Sequence, residues 1–161
     1  MKPKLEYVAH LGGVSTVAFS PDGKALLSAG TDGQVKIWDV ETGNLLRTLS
    51  PSHQKTATSA VFSPHGKLAV TGGGDGVVKA WDVASGKNVR TYGLDHPDGL
   101  DRPIFSLDVS SDGNFIVTGE AKGKVRLWDL LCQKELKLHA PHTNVVVAIA
   151  FLSGKLIVTS G

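Results

Sequence analysis

Three tryptophan–aspartate pairs punctuate the chain at near-equal spacing: Trp38-Asp39, Trp81-Asp82 and Trp128-Asp129, 43 and then 47 residues apart. A histidine leads each of them, His10, His53 and His96, and His142 opens a fourth unit, at intervals of 43, 43 and 46 residues. Self-similarity at a period in the forties means that one supersecondary unit is copied and stacked, because a single unit of that size cannot bury its own apolar face. Polar residues that return in every unit must therefore be weighed first as parts of the unit.

The units align along their whole length. Val17-Ala18-Phe19-Ser20-Pro21-Asp22-Gly23 returns as Ala60-Val61-Phe62-Ser63-Pro64-His65-Gly66 and as Leu107-Asp108-Val109-Ser110-Ser111-Asp112-Gly113. Val35-Lys36-Ile37-Trp38-Asp39 returns as Val78-Lys79-Ala80-Trp81-Asp82 and Val125-Arg126-Leu127-Trp128-Asp129. The apolar runs are short and rich in β-branched residues, and Gly, Pro, Asp or Ser bounds each of them, which are strand and turn signals. A weaker strand is expected to close each unit, at 45–49, 88–92 and 135–138. No segment has a helical period of useful length. The pattern predicts an all-β chain of four-stranded antiparallel meanders.

Composition narrows the class. Of the 161 residues, 41% are hydrophobic, enough for a packed core. The formal charge is only +2, with 17 basic and 15 acidic residues spread along the chain, so nucleic acid is not an expected partner. The single cysteine, Cys132, excludes an intrachain disulfide. No apolar run is long enough to span a bilayer as a helix, and the first residues lack a signal peptide's apolar core. Cytoplasm or nucleus is the expected location.

The lead His, the Phe-Ser-Pro-Asp-Gly turn, the Ser/Thr-Gly strand end, the Asp-Gly turn and the closing Trp-Asp together resemble the WD-repeat (transducin-β-like) family. The resemblance covers essentially the whole chain. It implies a β-propeller of about three and a half four-stranded blades, over 10–49, 53–92, 96–138 and an incomplete 142–161, with 4–8 as an outer strand of a preceding blade. It also implies a hydrogen-bonded set of His, Ser/Thr, Asp and Trp in each blade: His10, Ser28, Asp32 and Trp38, then His53, Thr71, Asp75 and Trp81. In the third unit Thr118 and Trp128 remain, but Lys122 stands where Asp is expected and His96 is displaced by an insertion. A less rigid third blade is expected, with Lys122 in solvent. The open ends suggest self-association, and a fragment of a longer chain is favoured over a ring-completing dimer.

The His-Ser/Thr-Asp sets superficially resemble a hydrolase triad, but an enzyme needs one such set, not one per repeat. No catalytic residue, cofactor or metal ligand set is expected: His65 and His139 carry no ligand spacing, and Gly72-Gly73-Gly74-Asp75-Gly76 leads into a strand, not a phosphate-binding helix. The inserted segment 93–103 carries Asp95, Asp98, Asp101 and Arg102 and is the most suggestive contact element. The resemblance adds Ser15, Thr58, Phe105 and Val147, at the start of the first strand of each unit, as rim residues facing a partner. The expected function is a non-catalytic scaffold for a protein or peptide partner. The alternative is an accessory propeller segment of a larger enzyme or signalling protein whose catalytic domain lies outside this chain.

Overall fold

The computed structural model describes residues 8–93, 102–132, 134–137, 142–153 and 156–161. The expected outer strand at 4–8 lies, apart from Val8, outside these residues, as do Asp95, His96, Asp98, Asp101 and His139. Four antiparallel sheets follow one another along the chain. The first holds β1 (Val14–Phe19), β2 (Ala25–Gly30), β3 (Val35–Asp39) and β4 (Leu45–Leu49) in sequence order. The second repeats the order with β5 (Ala57–Phe62), β6 (Leu68–Gly73), β7 (Val78–Asp82) and β8 (Asn88–Tyr92). The third has β9 (Ile104–Val109), β10 (Phe115–Glu120), β11 (Val125–Asp129) and β12 (Glu135–Lys137). The fourth pairs β13 (Ala148–Ser153) with β14 (Leu156–Ser160). Among the described residues the one helical element is a 3-10 turn at Ala121–Gly123.

The turns follow from their side chains. The Asp of each Trp-Asp pair caps the turn into the fourth strand: Asp39 accepts from the Thr42 amide at 2.7 Å and Asp82 from the Ser85 amide at 2.7 Å. Asp129 does the same for the amides of Leu131 and Cys132, both at 2.8 Å. These are Asx turns, in which a carboxylate stands in for a backbone acceptor. At the Asp-Gly turn between β2 and β3, Gly33 has φ 75°. A side chain there would also strike the carbonyls of His53 and Lys55, because the Gly33 carbonyl accepts the His53 amide at 3.0 Å. Glycine at this point lets one sheet's turn touch the lead-in of the next.

Apolar cores lie between successive sheets. Leu27, Ala29, Val35 and Ile37 of the first sheet meet Ala57, Ala60, Ala69 and Trp81 of the second. Val70, Val78 and Ala80 of the second meet Ile104, Leu107, Ile116 and Trp128 of the third. Val117 and Val125 of the third pack with Val146, Ile149 and Phe151 beside and within the fourth. The second and third sheets thus bury both of their faces, and Trp81 and Trp128 each face the preceding sheet. This is stacking of repeats with nearest-neighbour interfaces, a partial β-propeller in which the ring is not closed.

Candidate functional site

Two arrangements recur in the sheets: a buried polar set behind each tryptophan and, in the first three sheets, a bulged residue near the start of the inner strand.

In the first sheet the Trp38 indole donates to Ser28 Oγ at 2.8 Å, Ser28 Oγ lies 2.8 Å from His10 Nε2, and His10 Nδ1 lies 2.9 Å from Asp32. The second sheet repeats the series: Trp81 to Thr71 Oγ1 at 2.9 Å, Thr71 to His53 Nε2 at 2.7 Å, and His53 Nδ1 to Asp75 at 3.0 Å. Indole can only donate and an ionised carboxylate can only accept. With a neutral imidazole the proton order is therefore indole N–H to hydroxyl, hydroxyl to Nε2, and Nδ1–H to Asp. Asp32 and Asp75 also accept the amides of Leu11 and Gln54, so each carboxylate ties the lead-in to the turn between the sheet's second and third strands. Burial pushes the Asp75 carboxyl up, but its bond and charge interaction with His53 and the amides of Gln54 and Val77 outweigh this and hold it below the ordinary value. Asp32 is lowered by the same balance, with burial opposed by the Gln34 amide and His10.

Gly30 and Gly73 make room for these histidines. A Cβ on Gly30 would run into the His10 ring and Asp32, and one on Gly73 into His53 and Asp75. The aligned residue in the third sheet is Glu120, and it changes the arrangement. Thr118 still accepts the Trp128 indole at 3.2 Å, but its hydroxyl now faces Glu120 Oε1 at 3.5 Å. Glu120 is fully buried, with Arg126 Nε 2.9 Å from Oε1 and Arg102 Nη1 at 3.4 Å. Arg126 also pairs with Glu135 of β12. Burial pushes the Glu120 carboxyl above its ordinary value, outweighing the two arginines. In the third unit, where Lys122 stands in place of the turn aspartate, a carboxylate thus arrives two residues earlier, at the position that Gly30 and Gly73 hold in the first two sheets. Lys122 itself is exposed, at φ 61°.

Arg102, expected on an exposed charged segment, is 4% exposed and turned inward, because its guanidinium reaches Glu120 and the Gly93 carbonyl, the latter at 3.1 Å. Sequence reasoning also passed over the basic residue two places before each Trp. Lys36 donates to the Ala9 carbonyl at 2.7 Å and Lys79 to those of Pro51 and Ser52 at 2.9 and 2.8 Å, while Arg126 serves Glu120. The signal was present: Lys36, Lys79 and Arg126 recur at one position, and the loss of Asp at 122 coincides with the gain of Glu at 120.

The bulged residues form the second arrangement. The register between β1 and β2 shifts between Val14 and Thr16, leaving Ser15 extra, and the β5–β6 register shifts at Thr58 in the same way. In the third sheet Phe105 is the extra residue between Ile104 and Ser106. Val147 lies just ahead of β13. A bulge re-aims a side chain out of the alternating pattern. Ser15 is exposed, Phe105 is 40% exposed and Val147 62%, whereas Ile104 and Val146 beside them are fully buried. The Thr58 hydroxyl is partly committed, 2.8 Å from the Gly72 carbonyl and 2.5 Å from that of Ile104 in the next sheet. The inner strands are neighbours in order, β1 to β5 to β9 to β13.

Among the described residues no group of three or more His, Cys, Asp or Glu is placed to hold a metal ion, and no helix is long and apolar enough to cross a membrane.

Residues 1–39, 43–82 and 86–129 match the family described as WD domain, G-beta repeat, which is well over half of the chain. The Small ribosomal subunit protein RACK1 of Caenorhabditis elegans is 46% identical over 46 residues, 29% of this chain and 14% of that protein. The Ribosome biogenesis protein BOP1 homolog of Arabidopsis thaliana is 42% identical over 43 residues, 27% of this chain and 6% of that protein. The Uncharacterized WD repeat-containing protein sll1491 of Synechocystis is 48% identical over 44 residues, 27% of this chain and 13% of that protein. Each similarity spans about one repeat, a small part of the relative's own length.

Proposed function

The chain belongs to the WD-repeat family, and on that footing we propose that it is a non-catalytic scaffold that presents the bulged rim of its inner strands to a protein or peptide partner. A protein-interaction role is what WD repeats imply. The observation that carries it is the rim itself. Bulges repeat at Ser15, Thr58 and Phe105, and two of the exposed rim side chains, Phe105 and Val147, are apolar and each follows a fully buried residue, Ile104 and Val146. Exposed aromatics beside a rigid scaffold are the usual anchors of such interfaces. The recurrent His, Ser/Thr and Asp side chains are already bonded to one another, which supports a scaffold over a hydrolase.

Asp95, Asp98 and Asp101, which lie outside the described residues, are proposed to flank that rim, whereas Arg102 is assigned to the interior. The exposed apolar faces of the first and fourth sheets, with Phe19 65% and Leu152 66% exposed, support self-association as a further mode. One relative belongs to the small ribosomal subunit and another to ribosome biogenesis, which supports a cytoplasmic or nuclear location. Because the similarities cover small parts of larger proteins, the same rim would serve equally in an accessory propeller of a larger enzyme or signalling protein.

The test is a comparison of affinity-captured partners between the wild-type chain and Phe105→Ala or Val147→Ser. Loss of the same specific partner from both variants, with wild-type melting, is expected. Retention of that partner by both would refute the rim.

A further inference from the structure

Glu120 gathers side chains from three parts of the third sheet. Its carboxylate takes Arg126 of β11, Arg102 just ahead of β9 and Thr118 of β10, and Arg126 carries the contact on to Glu135 of β12. Arg102 then reaches outside the sheet. Its Nη1 lies 3.4 Å from Glu120 while its Nη2 donates to the Gly93 carbonyl, just after β8, at 3.1 Å. A planar guanidinium can serve two acceptors at a fixed angle, which an ammonium cannot. Gly93 has φ 91°, and a Cβ there would stand 2.8 Å from Arg102 Nη2, so the glycine admits the guanidinium. Three residues after Arg102 comes Phe105, the bulged rim aromatic. The Ala121 amide bonds the Pro103 carbonyl at 3.2 Å and so joins the entry of β9 to the residue after Glu120.

We infer that Glu120 is the positioning residue of the third sheet's rim: it anchors Arg102, and Arg102 clamps the exit of β8 to the entry of β9 and thereby sets where Phe105 is presented. In the first two sheets the lead-in is held by histidine and by a lysine on the carbonyls before it. In the third sheet a buried carboxylate and a forked cation do both jobs. This deepens the rim reading and rests on it for the consequence to a partner. The experiment below uses no partner, so a failed clamp and a failed rim are distinguishable.

Amide hydrogen exchange on the whole chain tests it, with the Ala121 amide reporting the clamp and the Gly30 amide, bonded to Gln34 in the first sheet, as a remote control. Glu120→Gln and Arg102→Met should each speed Ala121 exchange about tenfold, as expected for losing a charged hydrogen bond, and the double variant should go no further. Gly30 should keep its wild-type rate. Compounded effects in the double variant, or Gly30 accelerating in step with Ala121, would overturn the clamp. If Glu120→Gln fails to fold, Arg102→Met decides alone. Ala121 must then accelerate while the Val146 amide, which bonds the Glu120 backbone carbonyl, does not. Acceleration of both amides, or of neither, overturns the inference.

Discussion

Gly30, Gly73 and Glu120 occupy the same place in three successive sheets, and the residue there decides which chemistry closes the sheet. Where it is glycine, an imidazole moves in and a turn aspartate meets it. Where it is glutamate, the carboxylate sits in the gap and calls for arginines. Gly73→Ala should therefore destabilise the chain by displacing His53 from Asp75, read as a lowered denaturant midpoint. Trp81→Phe keeps the ring but removes the donor to Thr71, and should cost about 1–3 kcal/mol by the same measurement. The carboxyls also predict opposite pH dependences. Asp32 and Asp75 have folded values below 3.8, so their stabilisation is complete above 3.8 and is lost as pH falls through those depressed values. Glu120 lies above 4.5, so its contribution is complete below 4.5 and is lost as pH rises through the raised value. Melting temperature against pH should flatten on the acid side in Asp75→Asn and above 4.5 in Glu120→Gln; an unchanged profile in either variant would refute its assignment. The repeated spacing of the histidines and aspartates showed only that they belong to the unit; their partnership was implied by the resemblance to the WD-repeat family. Glu120 was not legible, because it appears once and replaces a glycine, the residue whose job is to leave space.

The strands were legible for a different reason. Apolar runs bounded by Asp, Pro and Gly fix where a strand can begin and end, and β4, β8, β10 and β11 fall where those signals stand. The bulges were hidden, since one extra residue in an alternating strand leaves no mark in composition; only pairing reveals Ser15, Thr58 and Phe105 as unpaired. Contacts between sheets were equally hidden. Thr58 reaches the Ile104 carbonyl, Ser106 Oγ donates to Val146 at 3.0 Å, and the Phe151 amide donates to Asp108 at 2.8 Å. Each joins residues about one repeat apart, which local patterns do not pair. Asp108→Ala should accordingly leave the third sheet's own ladder intact while orphaning the Phe151 amide. Protection of β13 amides should fall roughly tenfold, with β10 unchanged, in hydrogen exchange.

Across the whole molecule the same interactions explain stability and support the proposed scaffold role. Sheets that bury their faces only against neighbours need rigid internal ties, and polar residues spent on ties are not free to act on a substrate. On the proposed reading, the surface offers a partner a rim of re-aimed side chains on a stiff support. The chain has only three tryptophans, one in each of the first three sheets, so their indole N–H groups report those three ties separately. Hydrogen exchange of the three indole protons at neutral pH is the most direct measurement. The account predicts that all three exchange orders of magnitude more slowly than an exposed indole, Trp128 included, since each donates to a buried hydroxyl. Exchange of any of the three at the rate of a solvated indole would contradict it.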